Sequence, residues 1–124
     1  MADIHNPGGG NAQVEDIDGQ PSIGYWTNDQ SWVGWQFKID RPGQFDVLAT
    51  IATPAGKSTF ELAVGDQKVA AVVTSTGSYQ TFEIIKCGRP LEIGQEGDYE
   101  LSVKPVRGQW QPINLRSVVL EPVR

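Results

Sequence analysis

Cysteine occurs once in this chain of 124 residues, at Cys87, and histidine and methionine once each. A single cysteine excludes an internal disulfide framework, so stability must come from packing. Basic residues are also few: ten Lys and Arg stand singly against fifteen Asp and Glu, a net charge of -5. That balance argues against nucleic acid or an anionic membrane as a partner, since both demand a basic surface. No segment approaches the roughly eighteen apolar residues of a membrane-spanning helix. The opening Met1-Ala2-Asp3-Ile4-His5 has neither the basic nor the apolar region of a signal peptide. If the natural protein is exported, this chain is expected to be a piece of a longer one. Helical periodicity is missing beyond about two turns anywhere in the sequence.

Short alternating runs with turn residues between them are present instead, and they predict an all-β fold. From Trp32, the side chains of Val33, Trp35, Phe37 and Ile39 share one face, with Gly34, Gln36 and Lys38 on the other. Asp40-Arg41-Pro42-Gly43 is a turn, and residues 44–53 resume alternation through Phe45, Val47, Ala49 and Ile51. Residues 59–64 and 67–74 flank Gly65-Asp66 and read as a β-hairpin, because glycine tolerates the positive φ that such a turn requires. The runs 81–87, 91–93, 99–105 and 113–121 bring the expected count to eight or nine strands. Fourteen Gly and eight Pro punctuate them, a spacing that suits a single-domain β-sandwich over residues 21–124. Residues 1–20, with Pro7-Gly8-Gly9-Gly10, read as an irregular segment or an edge strand. At this length folding buries roughly two-thirds of the chain's surface, and Cys87, ending an apolar run, reads as a buried small hydrophobe.

Residues 23–37 hold five aromatics in fifteen positions. Alternation assigns Trp32, Trp35 and Phe37 to packing between sheets. Tyr25 and Trp26, in the loop before, place apolar ring faces beside Asn28 and Asp29, the combination a sugar ring needs to bind from water. A loop aromatic also serves to cap the open end of a sandwich, and that alternative stays open. His5, with no partner at metal-ligand spacing, reads as an ordinary surface histidine.

Four features occur in the same order as in one known family: Gly24-Tyr25 before Trp32, Pro42-Gly43-Gln44-Phe45, Thr76-Gly77-Ser78-Tyr79, and Gly97-Asp98-Tyr99 leading to Ile113-Asn114-Leu115. The chain resembles the carbohydrate-binding modules of families six and thirty-five, jelly-roll sandwiches of the galactose-binding-like type. Its stretches Ile23–Asn28 and Asn114–Val118 are similar to accessory domains of secreted fucosidases and sulfatases. The resemblance implies a sugar stacked between Tyr25 and Tyr79 and hydrogen-bonded by Asn114, with Trp26, Asn28 and Trp110 in the same loop set. For Asn114 the other reading is an amide that satisfies backbone groups. It further implies a non-catalytic module that binds a glycan weakly, in an extracellular or periplasmic protein whose parent catalytic domain it directs to polysaccharide. The alternative is a structural sandwich packed on that catalytic domain of a glycosidase or sulfatase, binding no sugar.

Many relatives of that kind hold a structural calcium between acidic residues near the N-terminus and an Asp after the final Asn. Here the places fall on Gln13 and Glu15 and on Leu115-Arg116. A cation opposite Arg116 is electrostatically unfavourable, so no cofactor is expected. Catalysis finds no support either. There is no nucleophile elbow, phosphate loop or His pair, and Glu15, Asp16 and Asp18 read as solvated loop acids rather than a general acid–base pair.

Overall fold

The computed structural model describes residues 3–17 and 19–123; Asp18 lies outside them. Eleven strands are seen: β1 (Asp3–His5), β2 (Gln13–Ile17), β3 (Gln20–Gly24), β4 (Trp32–Ile39), β5 (Gly43–Ala52), β6 (Lys57–Val64), β7 (Gln67–Thr74), β8 (Glu83–Lys86), β9 (Leu91–Ile93), β10 (Gly97–Pro105) and β11 (Asn114–Pro122). One antiparallel sheet runs β1-β4-β10-β6-β7, and the other runs β2-β3-β11-β5-β8 with β9 also paired to β5. The two sheets form a jelly-roll β-sandwich. Among the described residues no helix is long and apolar enough to cross a membrane.

The long strands lie where alternation predicts them. In β7 every second residue, Val69, Ala71 and Val73, is buried, and its hairpin partner β6 buries Phe60, Leu62 and Val64. Gly65, at φ 58°, supplies the left-handed turn residue between them. Val47, Ala49 and Ile51 of β5 face these across the sandwich, each fully buried. Cys87 joins the same core, its N–H donating to Val47 O at 2.8 Å.

Three of the eleven strands lie outside the eight runs named from the sequence, all within residues 3–24. β2 and β3 carry Glu15, Asp16, Pro21 and Ser22, so neither shows a clean apolar alternation; the sheet contacts of Leu115 with Ile23 decide their pairing. β1 edges one sheet and β2 the other.

Trp32 departs from its assignment to inter-sheet packing. Its neighbour Val33 is fully buried, so by the pleat Trp32 points to the opposite, outer face. There its ring stacks on His5 of β1 at 3.9 Å and 10°, and Lys104 Nζ on β10 sits 4.8 Å from the ring centroid. Trp35 and Phe37 do pack against the core, Phe37 also against Tyr99 at 5.9 Å.

Candidate functional site

At the end of β3 the chain changes character. Tyr25 has φ 54°, the one positive φ outside glycine among the described residues. A residue in that conformation interrupts the pleat, and two adjacent aromatics part company. Tyr25 is left 58% exposed, while Trp26 turns inward to 1%. Trp26 is held there by its Nε1–H, which donates to Ser31 O at 2.8 Å, and by the Trp110 ring at 4.7 Å. Trp110 Nε1–H in turn donates to Trp26 O at 3.3 Å.

Across from Tyr25 stands the loop between β7 and β8. Thr53, fully buried after β5, organises it: Thr53 N–H donates to Thr76 Oγ1 at 3.0 Å, and Thr76 N–H donates to Thr53 O at 2.8 Å. The Thr53 hydroxyl also donates to Pro112 O at 2.9 Å, tying in the segment before β11. Asn114, 5% exposed at the start of β11, donates from Nδ2 to Tyr79 O at 2.8 Å. Among the described residues its Oδ1 makes no hydrogen bond. Tyr79 itself remains 39% exposed.

Tyr25, Tyr79 and Asn114 therefore border one cleft of about 570 Å³ at the end of the sandwich. Glu15 and Asp16 of β2 also line it, as do Thr27 and Gln80. Glu15 fits because Gly24, on the neighbouring strand, has no side chain; a Cβ there would collide with the Glu15 carboxylate.

The sequence-expected site changes in three places. Trp26 and Trp110 are not exposed walls: they form a hydrogen-bonded pair in the core, and Trp26 only floors the cleft. Asn28 does not line the cleft, because its Oδ1 accepts from Gln30 N–H at 2.8 Å in a tight turn and its Nδ2 donates to Gly8 O at 3.4 Å. Glu15 and Asp16, read from sequence as solvated acids, belong to the cleft; the β2–β3 pairing that puts them there leaves no local signature.

The sequence matches the family described as a domain of unknown function, DUF5077, over residues 6–110. The chain belongs to this family. Among curated proteins no relative of this DUF5077 member matches. Solved structures do match its fold. A family 6 carbohydrate-binding module from Clostridium stercorarium, in complex with cellobiose, superposes with TM-score 0.70 at 22% identity, covering 98% of this chain and 87% of that one. A family 35 module from Clostridium thermocellum gives 0.76 at 16%, covering 98% and 92%. A family 6 module of Cellvibrio mixtus lichenase 5A, in complex with cellotriose, gives 0.73 at 18%, covering 94% and 89%. The DUF5077 chain thus has the jelly roll of family 6 and family 35 modules.

The structural calcium implied by the resemblance does not suit the side chains at the corresponding places. Arg116 lies over the Phe82 ring at 3.7 Å and donates from Nη2 to Ile17 O at 3.4 Å, putting a fixed positive charge where a carboxylate would be needed. Gln13 bonds to Asn11, and Glu15 turns to the end cleft. Among the described residues no group of three His, Cys, Asp or Glu is arranged to hold a metal ion.

Proposed function

We propose that the end cleft binds a glycan, with a sugar ring received between Tyr25 and Tyr79 and a hydroxyl donating to Asn114 Oδ1. The observation that carries this reading is the placement of two exposed tyrosines over one cleft with a buried amide at its floor. Tyrosine faces desolvate the apolar C–H face of a pyranose, while the amide oxygen takes a hydroxyl proton. The fold supports it, since the matched modules include ones solved with cellobiose and cellotriose. Only one or two rings are stacked, so the affinity falls in the high micromolar to millimolar range, roughly -4 to -6 kcal/mol. The module is non-catalytic and serves, in an exported protein, to hold a parent catalytic domain on polysaccharide. No calcium takes part.

The test is a two-dimensional NMR titration with mono- and oligosaccharides. Saturable shifts at the amides around Tyr25, Tyr79 and Asn114 are expected. Tyr79→Ala removes them with the melting temperature nearly unchanged, because the ring is substantially exposed. A panel with no shifts defeats the reading.

One observation favours a second reading, a structural sandwich packed on its parent domain. Ile84 and Val119, 71% and 50% exposed, both stand on the outer face of their sheet, since Ile85, Val118 and Leu120 pack on the core. An apolar outer face of that kind suits a partner domain. Concentration-dependent self-association of the isolated chain, relieved by Ile84→Lys, would speak for it.

A further inference from the structure

The cleft is rich in hydrogen-bond acceptors and poor in fixed donors. Glu15 and Asp16, consecutive residues of β2, both line it, and Asn114, 95% buried, has its Nδ2 engaged with the Tyr79 carbonyl. That leaves Asn114 Oδ1, a third acceptor, toward the cleft. The Tyr25, Tyr79 and Thr27 hydroxyls and the Gln80 amide bond in either direction. Among the described residues no Lys, Arg or His lines the cleft. Arg116, which reaches the Ile17 carbonyl from behind, keeps its guanidinium on Phe82. Tyr25 and Tyr79 add aromatic surface, with Ile17, Trp26, Pro112 and Ile113 completing the apolar lining, and a tyrosine face is negative toward a cation that meets it.

Acidic walls, a spare amide oxygen and two tyrosine rings together fit a ligand that brings three donors and a positive charge at one point. Among sugar substituents only a protonated amine does so. We propose that the cleft selects glycans with free amino groups, such as chains of glucosamine, and discriminates against uronate-bearing chains. This rests on the glycan-binding reading of the same cleft. An ammonium group donates to the acidic lining that β2 supplies and lies over a tyrosine face, whereas a uronate meets like charge where no Lys, Arg or His lines the cleft. Glu15 is partly buried and held beside Gly24, so the interaction is screened less than an open surface pair.

The experiment compares four tetrasaccharides by NMR titration at about pH 5.5, where a sugar amine carries its proton: glucosamine, N-acetylglucosamine, glucose and galacturonate, each in β-1,4 or equivalent linkage. The glucosamine chain is expected to bind about two- to fivefold more tightly than the glucose chain at low salt, the scale of a partly exposed ion pair. Its N-acetylated form should lose that advantage, and the galacturonate chain should bind most weakly. High salt should narrow the spread. The double variant Glu15→Gln, Asp16→Asn should bring the glucosamine-to-glucose ratio to near one, with folding checked by the unchanged spectrum of the core. Equal affinities for glucosamine and glucose, or a preference that persists in the double variant, overturn the inference while leaving glycan binding intact. Silence from all four chains instead defeats the glycan reading itself.

Discussion

Tyr25 and Trp26 are neighbours with opposite fates, and the φ of one residue separates them. A non-glycine residue in the left-handed region costs roughly 1–2 kcal/mol, and the locked Trp26 side chain behind it holds the backbone in place. Tyr25→Gly relieves that cost and removes a ring that is mostly exposed. The expected outcome is a melting temperature equal to or slightly above that of the unmodified chain, with glycan-induced shifts lost; a large drop in stability would show that the ring packs rather than binds. Cys87 is the other residue whose environment sets its chemistry. Burial pushes its thiol from the ordinary 9.0 up to about 11, a hydrogen bond from the Ala49 backbone acting weakly in the other direction. The folded state therefore favours the neutral thiol. Its contribution is complete below pH 9 and is lost as pH rises through about 11, up to roughly 2–3 kcal/mol in all. Thermal melts from pH 8 to pH 11.5 should fall more steeply for the unmodified chain than for Cys87→Ala, and a thiol reagent at pH 8 should label Cys87 only after denaturation.

At the scale of elements, the cleft depends on loops that are tied to strands by short hydroxyl side chains. Thr53 bridges the Thr76 loop and the Pro112 carbonyl, and Ser58 Oγ does the same for the backbone of Gln111, donating to its carbonyl at 2.7 Å and accepting from its N–H at 3.0 Å. These contacts fix the carbonyl that Asn114 holds and, through it, Tyr79. Thr53→Val keeps the shape but strands Pro112 O and Ala55 N–H, each of which the hydroxyl now bonds. The expected cost is about 1–3 kcal/mol, read by chemical denaturation, together with faster exchange of the Ala55 amide, which loses its acceptor. If stability and the exchange of that amide are both unchanged, the Thr53 hydroxyl does not hold these segments together. The strands themselves need no such ties: β6 and β7 pair along eight residues through a two-residue turn.

The whole molecule places its binding candidates at one end of a sandwich and carries its own cation, Arg116, near the strand that opens the cleft. With that charge on Phe82 and Ile17, excess calcium or a chelator is expected to leave the melting temperature unaltered; a rise with calcium would contradict the account of Arg116. The sequence by itself determined the class of fold, because alternation is a local property: Val69, Ala71 and Val73, or Val47, Ala49 and Ile51, declare their buried face within a single strand. It also located the turn at Gly65, and its resemblance to family six and thirty-five modules singled out Tyr25, Tyr79 and Asn114, which the structure brings to one cleft. It misplaced Trp32, Trp26, Trp110 and Asn28, for loops and strand ends have no period from which to read a direction. Only the tertiary structure decided that Trp26 and Trp110 bond to each other across 84 positions of chain, and that β2 carries Glu15 and Asp16 beside Tyr25. Those contacts arise from sheet order and register, which join segments far apart in sequence and leave no trace in either segment alone.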